Sequence, residues 1–365
     1  MKKNTFARSS MQFRAIYVIA VVGLVASIAA CNKSKTVTAS TATDEVLRKA
    51  AGNPLLQNAE ITSVVTIANM RTSADGKTTK VMFNRNEQIL NVPGAAEIAV
   101  LKNAFANNQA VQITFDPWHA TVSSVRLATT QDQEYFHNKT VTGSAGAAIK
   151  LNGTATDEVI NHAADMGVLN LTTDTLTKVI PDFNTAQLMF DYIAHQCCEL
   201  PGPYTLDHCI TFQYCEDGCY ARAHKMCMII NSKYHYGTQK VFSFANDAAN
   251  VDELCVKAEK WNGCCINWWY HVAPLVTIKT PAGPKAYVFD PAMFDQPVLL
   301  STWLHAQENP ACVPGGDVPH VTMINIQPTS SYSPAGSSGY YFDTDPLYSD
   351  TNSTLVSYRH LVSCP

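Results

Sequence analysis

The chain has 365 residues, of which 46% are hydrophobic and 15% charged, and a formal net charge of −4. Charges this sparse and this nearly balanced, with no long basic run, exclude a nucleic-acid partner and describe a soluble globular protein long enough for two cores.

The N-terminus places Lys2, Lys3, Arg8 and Arg14 ahead of an apolar run from Ala15 to Ala30. A basic start, a short apolar stretch and small residues before a cut predict an export signal over 1–30, too short and too weakly flanked for a membrane span. The run closes on IAAC, which resembles the lipobox of bacterial lipoproteins, with Cys31 as the acylated first mature residue. The alternative is an ordinary cleaved signal with a chance cysteine. Either way the product is exported to a compartment where disulfides persist. The expectation is a membrane-anchored lipoprotein precursor whose later part can be released outside the cell.

Residues 31–44 are small and polar and predict a tether. Over 45–140, alternation in TKVMFNRN and AVQITFD predicts strands, and AAEIAVLKNAFANNQ has helical spacing through Ile98, Leu101 and Phe105, which together make a small α+β domain. Over 141–175 the Gly, Ser, Thr and Ala content rises and periodicity fades, the signature of a connector open to a processing protease. The second module, 176–365, holds every cysteine but Cys31. It opens with NTAQLMFDYIAHQ, a helix with Asn184 as cap and Leu188, Met189, Tyr192 and Ile193 on one face. In EDGCYARAHKM a second helix starts, with Asp217 as cap, Gly218 allowing close approach, and Cys219, Ala223, Met226 and Ile230 on one face.

A thiol in the first turn of a helix meets free backbone N–H groups and a partial positive charge, which lower its pKa and can hold an oxyanion. Cys219 is therefore a candidate nucleophile; the competing reading makes it half of a disulfide. Eleven cysteines follow Cys31, so one is left over if the rest pair, but an odd count does not say which. The missing CxxC spacing argues against zinc. For the base, INWWYHVAPLVTIK predicts a strand with His271, Ala273, Leu275 and Thr277 on one face. The turn formers TPAGPK and the run KAYVFDP make this an antiparallel hairpin. With Thr280 to Gly283 as the turn, Asp290 lies opposite Ala273, on the face of His271 and diagonal to it; a one-residue shift would turn the carboxylate away.

Together CITFQYCEDGCYARAHKM, CCINWWYHVAPLV and VFDPAMF resemble the bacterial protein-glutaminase family, whose members deamidate glutamine side chains in intact proteins. The resemblance is strongest from Leu176 to Phe294 and continues faintly upstream, where that family carries a pro-segment blocking the active site. It implies Cys219 as nucleophile, His271 as general acid/base and Asp290 as its orienter, on a papain- and transglutaminase-like α+β core. It further implies no metal or organic cofactor, protein substrates, an activating protease and the chain's own pro-domain as inhibitor. Its mechanism uses a thioester, with an oxyanion held by the Cys219 N–H and a second donor the sequence does not name. Trp268, Trp269 and Tyr270 are candidates for the substrate pocket, or plain core. Cys215 and Cys227 depart from the family pattern; the expectation is that they pair with each other, and that Cys197 or Cys198 bridges to Cys209. Cys312 and Cys364 are expected to staple a loop-like C-terminal region, with TLVSYRHLVS as a closing strand. Rival functions are a transglutaminase or a cysteine peptidase with the same three residues, and a non-catalytic, disulfide-rich binding module.

Overall fold

A computed structural model describes residues 60–73, 76–142, 147–151, 156–171, 176, 179–198, 209–245, 253–312, 320–335 and 339–364. The expected signal, Cys31 and the tether lie outside the described residues.

The first part of the described chain runs β1 (Ile61–Val65), β2 (Ile67–Thr72), β3 (Thr79–Phe83), β4 (Asn86–Val92), α1 (Ala95–Ala106), β5 (Val111–Asp116), β6 (Thr121–Leu127) and α2 (Thr130–Lys139). Both expected strand stretches are present, and β5 alternates buried and half-buried residues as a one-sided strand should. The helix carries Ile98 and Leu101 inward, while Phe105 is exposed. β3 and β4 form a tight hairpin through Asn84 and Arg85, pairing Thr79 with Val92 and Phe83 with Asn86.

Parts of the stretch expected as a connector, 141–175, are among the described residues. β7 (Thr140–Thr142) and β8 (Ala147–Lys150) join different sheets, and α3 (Asp157–Leu171) packs on the hairpin described next. Its stabilising partners are remote in sequence: the Asp165 carboxylate accepts from the Ala286 N–H and from Lys285. Local composition is silent on such contacts.

The remainder runs β9 (Val179–Ile180), α4 (Phe183–Ala194), α5 (Cys219–Tyr234), β10 (Gln239–Phe244), β11 (Leu254–Lys257), β12 (Cys265–Trp268), β13 (Tyr270–Thr280), β14 (Gly283–Val288), β15 (Val298–Leu299), α6 (Leu300–His305), β16 (Met323–Pro328), β17 (Ser331–Pro334), β18 (Gly339–Phe342) and α7 (Ser349–Tyr358). A sheet ordered β15-β14-β13-β10-β16-β8 forms its centre, with α5 packed on β13. β13 is buried along nearly its whole length, as a strand covered on both faces must be.

Four expectations are corrected. α4 is capped by Asp182, which accepts from the Thr185 N–H, and its buried face is Ala186, Met189, Phe190 and Ile193; Leu188 and Tyr192 are exposed. The helix starts one residue before Asn184, so its true cap lies two residues upstream. TLVSY belongs to helix α7 rather than a strand: Leu355 and Tyr358 are buried at helical spacing, and α7 packs against α5. The supposed C-terminal loop contains the β17–β18 hairpin. Cys215 and Cys227 are both free: Cys215 contacts carbonyls of Phe212 and Ala292, whereas Cys227 sits two turns along α5 against the Gln239 carbonyl. The bridges present are Cys198–Cys209, Cys264–Cys364 and Cys265–Cys312, so Cys312 and Cys364 do staple the C-terminal part.

The two parts share a sheet and a core. β12 pairs with β4 through Trp268 and Gln88, extending the N-terminal sheet by β12 and β11. Tyr214, Tyr358 and Leu361 complete the apolar cluster built from Phe83, Leu90 and Phe115.

The junction depends on Gly218, whose φ is 89° and where an added Cβ would lie 3.0 Å from the Tyr358 ring. Gly218→Ala is expected to lower stability by about 1–3 kcal/mol, through the left-handed backbone and this contact, in a urea unfolding curve.

Candidate active site

Cys219 is the first residue of α5. Gly218 is the N-cap and no side chain caps the helix. Asp217, expected as cap, instead accepts from the Glu87 N–H at 2.9 Å and from the Tyr358 hydroxyl. The first-turn N–H of Cys219 thus stays available for another acceptor. The thiol is free and buried.

His271 and Asp290 meet at the open end of the β13–β14 hairpin. The ladder pairs Thr280 with Gly283 and Leu275 with Val288, and the Phe289 N–H donates to the Pro274 carbonyl at 3.0 Å. This is the register the turn predicts, and it brings His271 Nε2 to 2.8 Å from Asp290 Oδ2. The Trp303 indole N–H donates to the same oxygen at 2.9 Å. Trp268 stacks on the imidazole with ring centres 4.2 Å apart, and Trp303 stacks at 5.5 Å, so the ring has little freedom to turn.

The remaining member is a residue the sequence reading missed. Glu87 on β4 has no exposed surface. Its Oε1 accepts from the Cys219 backbone N–H at 3.3 Å and from Arg222 Nη2 at 3.2 Å. Its Oε2 lies 3.1 Å from His271 Nδ1. Carboxylate, thiol and imidazole donors all lie within 4.8 Å of one another. Such a set has the chemistry of a zinc ligand group, but Arg222 already places a fixed cation against the carboxylate, which disfavours a second one there.

Arg222 is held by two carbonyls, donating through Nη1 to Tyr214 at 2.8 Å and to Asp217 at 2.7 Å. One helical turn beyond Cys219, it lies inside the quoted motif, where an arginine on an otherwise buried helix face was the available signal. Glu87 gave a fainter one: Asn-Glu-Gln opening an apolar strand reads as an exposed hairpin tip, and its burial comes from partners more than a hundred residues away.

The charges set the protonation states. Burial pushes the Cys219 thiol well above the usual thiol range, the Glu87 charge pushes it the same way, and Arg222 opposes them. The expected low thiol pKa is therefore not found in this state: a carboxylate occupies the helix N-terminus that would have stabilised the thiolate. Burial alone would depress His271, but the Asp290 charge and hydrogen bond, with those of Glu87, outweigh it and raise it. An imidazole with a carboxylate on each nitrogen satisfies both as the doubly protonated ion. Asp290 is held low by His271 against the opposing effect of burial. Burial, then the Glu87 charge, lifts Asp217 to about 7.

Of the three aromatic candidates, Trp268 stacks on His271, Trp269 contacts the segment around Glu87, and Tyr270 packs among Phe242 and Phe244. A cavity of about 760 Å³ lies behind β4, lined by Lys80, Gln88, Trp118 and Glu216, and does not reach the thiol.

A helix-borne thiol facing an antiparallel sheet that carries imidazole and carboxylate defines a papain- and transglutaminase-like α+β fold. Residues 186–307, which include all three groups, match a family described as glutaminase. Crystal structures of pro-protein-glutaminase and of a mutant of it each align with 26% identity and a TM-score of 0.59, over 82% of this chain and 93% of theirs. An NMR structure of protein-glutaminase from Chryseobacterium proteolyticum aligns over 52% of this chain and 93% of its own, at 31% identity and a TM-score of 0.43. No curated protein matches. The chain belongs to the protein-glutaminase family.

The shifts fix the sign of a pH dependence. His271 is raised above 6.5, and Asp217 stands at about 7 against 3.8, so both stabilise the fold at low pH and lose that contribution as pH rises through their folded values. The thermal midpoint of the full chain is expected to fall between about pH 5 and about pH 8, with the opposite trend from Asp290 confined to more acid solution. In a Cys219→Ser background, Glu87→Gln should flatten this slope, since the Glu87 charge raises both groups.

Proposed function

We propose that the chain is the exported precursor of a protein-glutamine deamidase, which hydrolyses the side-chain amide of protein-bound glutamine to glutamate and ammonia. The observation that carries this reading is the seat of Glu87. Glutamate is the product of that reaction and has the length of the substrate side chain. Its Oε1, on the Cys219 N–H and Arg222, stands in for the amide oxygen; its Oε2, against His271 Nδ1, stands in for the amide nitrogen. Family membership and the pro-protein-glutaminase relatives support the same activity.

With a glutamine in place of Glu87, His271 takes the Cys219 proton and the sulfur attacks the amide carbon. The carbonyl π-electrons move to oxygen, where the Cys219 N–H and the Arg222 guanidinium hold the charge. This assigns the second oxyanion donor to Arg222. His271 then gives its proton to the departing nitrogen, ammonia leaves and a thioester remains. Water attacks the thioester with His271 as base, releasing glutamate and the thiol. Asp290, fixed by Trp303, keeps the imidazole turned so that Nδ1 faces the reaction.

In the precursor, Glu87 blocks this chemistry twice: it fills the amide site, and its charge keeps the thiol neutral. The N-terminal part thus serves as an intramolecular inhibitor, to be removed by a protease acting within 141–175. We assign export to the segment 1–30 and lipid attachment to Cys31, so that the precursor is membrane-anchored until processing releases the enzyme.

Glu87→Gln in the full chain tests the reading without a foreign substrate. Peptide mapping by mass spectrometry should find the introduced glutamine converted back to glutamate, or to the ammonia-free thioester, and left intact in the Glu87→Gln/Cys219→Ser double variant. Persistence of the introduced amide beside an intact thiol would contradict it. Cleavage of the chain at this position would favour a peptidase, and a bond from the introduced side chain to a lysine a transglutaminase.

A further inference from the structure

The main chain around Glu87 is held as closely as its side chain, by groups that take no part in the steps above. The Tyr220 hydroxyl donates to the Arg85 carbonyl at 3.0 Å. The Trp269 indole N–H donates to the Asn86 carbonyl at 2.7 Å, and the Trp269 backbone N–H to the Glu87 carbonyl at 3.0 Å. In return the Glu87 N–H donates to Asp217 Oδ1 at 2.9 Å. Three consecutive carbonyls and one N–H are thus read by the second module, with antiparallel pairing of Gln88 to Trp268 continuing the track. The Gln88 N–H itself turns back to Asn86 Oδ1 at 2.8 Å, inside the N-terminal part.

Every one of these bonds goes to backbone, so none depends on which side chains the bound segment carries. They require an extended chain with its own N–H and C=O groups unspent. A glutamine inside an α-helix fails on both counts, because its N–H is committed to the carbonyl four residues back and its backbone dihedrals differ. The arrangement is strand addition to a short exposed edge, in which main-chain bonds give affinity and one side-chain pocket gives specificity.

We infer that Tyr220, Trp269 and Asp217 form the substrate-binding frame of this enzyme, reading the backbone of the target glutamine and of the two residues before it. The substrate class is then glutamine in an extended segment, at a hairpin shoulder, in a loop or in an unfolded chain, with a free N–H on the glutamine itself. This rests on the reading of Glu87 as a substrate stand-in. Asp217 binds substrate here rather than capping the helix, and Tyr358 holds its second oxygen.

The test uses the full chain after limited proteolysis and three capped peptides of the sequence Ala-Ala-Gln-Ala-Ala. One is unmodified, one is N-methylated on the glutamine nitrogen, and one on the nitrogen of the following alanine. Methylation at glutamine removes the donor to Asp217 and should lower kcat/KM at least roughly tenfold, the effect of losing a hydrogen bond to a charged group. Methylation one residue later should cost much less, because the Gln88 N–H meets no group of the second module. Asp217→Asn should raise KM for the unmodified peptide and shrink the penalty of methylating glutamine, whereas a merely structural role would slow all three peptides by one factor. Equal turnover of the two methylated peptides, or an undiminished penalty in Asp217→Asn, overturns the frame while leaving deamidation intact. Absence of ammonia from all three peptides and from an unfolded glutamine-rich protein removes the deamidase reading, and the frame with it.

Discussion

A carboxylate with no exposed surface has to be matched inside the protein, and the matching of Glu87 organises the site. Its two oxygens draw in the N-terminus of α5, the guanidinium of Arg222 and the imidazole of His271, three groups more than a hundred residues away in sequence. Leaving such a charge without partners costs about 3–5 kcal/mol, so each is needed where it is. The strand carrying Glu87 must then run beside β12, and this explains why one sheet and one apolar cluster span both parts of the chain.

The same charge explains the chemistry of the resting state. A buried thiol at a helix N-terminus would gain from Arg222 and an imidazolium nearby, the usual means of making a thiolate. With Glu87 present those cations face a competing anion, and burial together with that charge pushes the thiol up instead. On the proposed function, inhibition by occupancy and inhibition by charge then reside in one side chain. The sheet side remains prepared throughout: His271 is fixed between two indoles and bound to Asp290, so removal of the N-terminal strand leaves the imidazole in position.

Much of this layout was legible in the chain. The cysteine at a helix start, the histidine on a buried strand and the aspartate past its hairpin partner followed from periodicity and turn chemistry, and the Thr280–Gly283 register places them as that reasoning requires. Local rules failed where the deciding partner was distant. Asp217 has a capping residue's sequence position, but the Glu87 N–H and Tyr358 claim its oxygens. TLVSY has β-branched residues, yet it buries Leu355 and Tyr358 as part of a helix packed on α5. Glu87 carries no local mark of burial at all. Pairing of Cys215 with Cys227 was expected because they flank the motif, but both thiols are free and contact separate carbonyls.

Titration of the thiolate ultraviolet absorbance of Cys219, taken as the difference between the full chain and its Cys219→Ser variant, tests most directly whether the Glu87 charge silences the proposed nucleophile. With Glu87 present, the thiolate should form only above the ordinary thiol range; with Glu87→Leu, which keeps the bulk and removes the charge, its midpoint should move down. Identical midpoints in the two proteins would contradict the account.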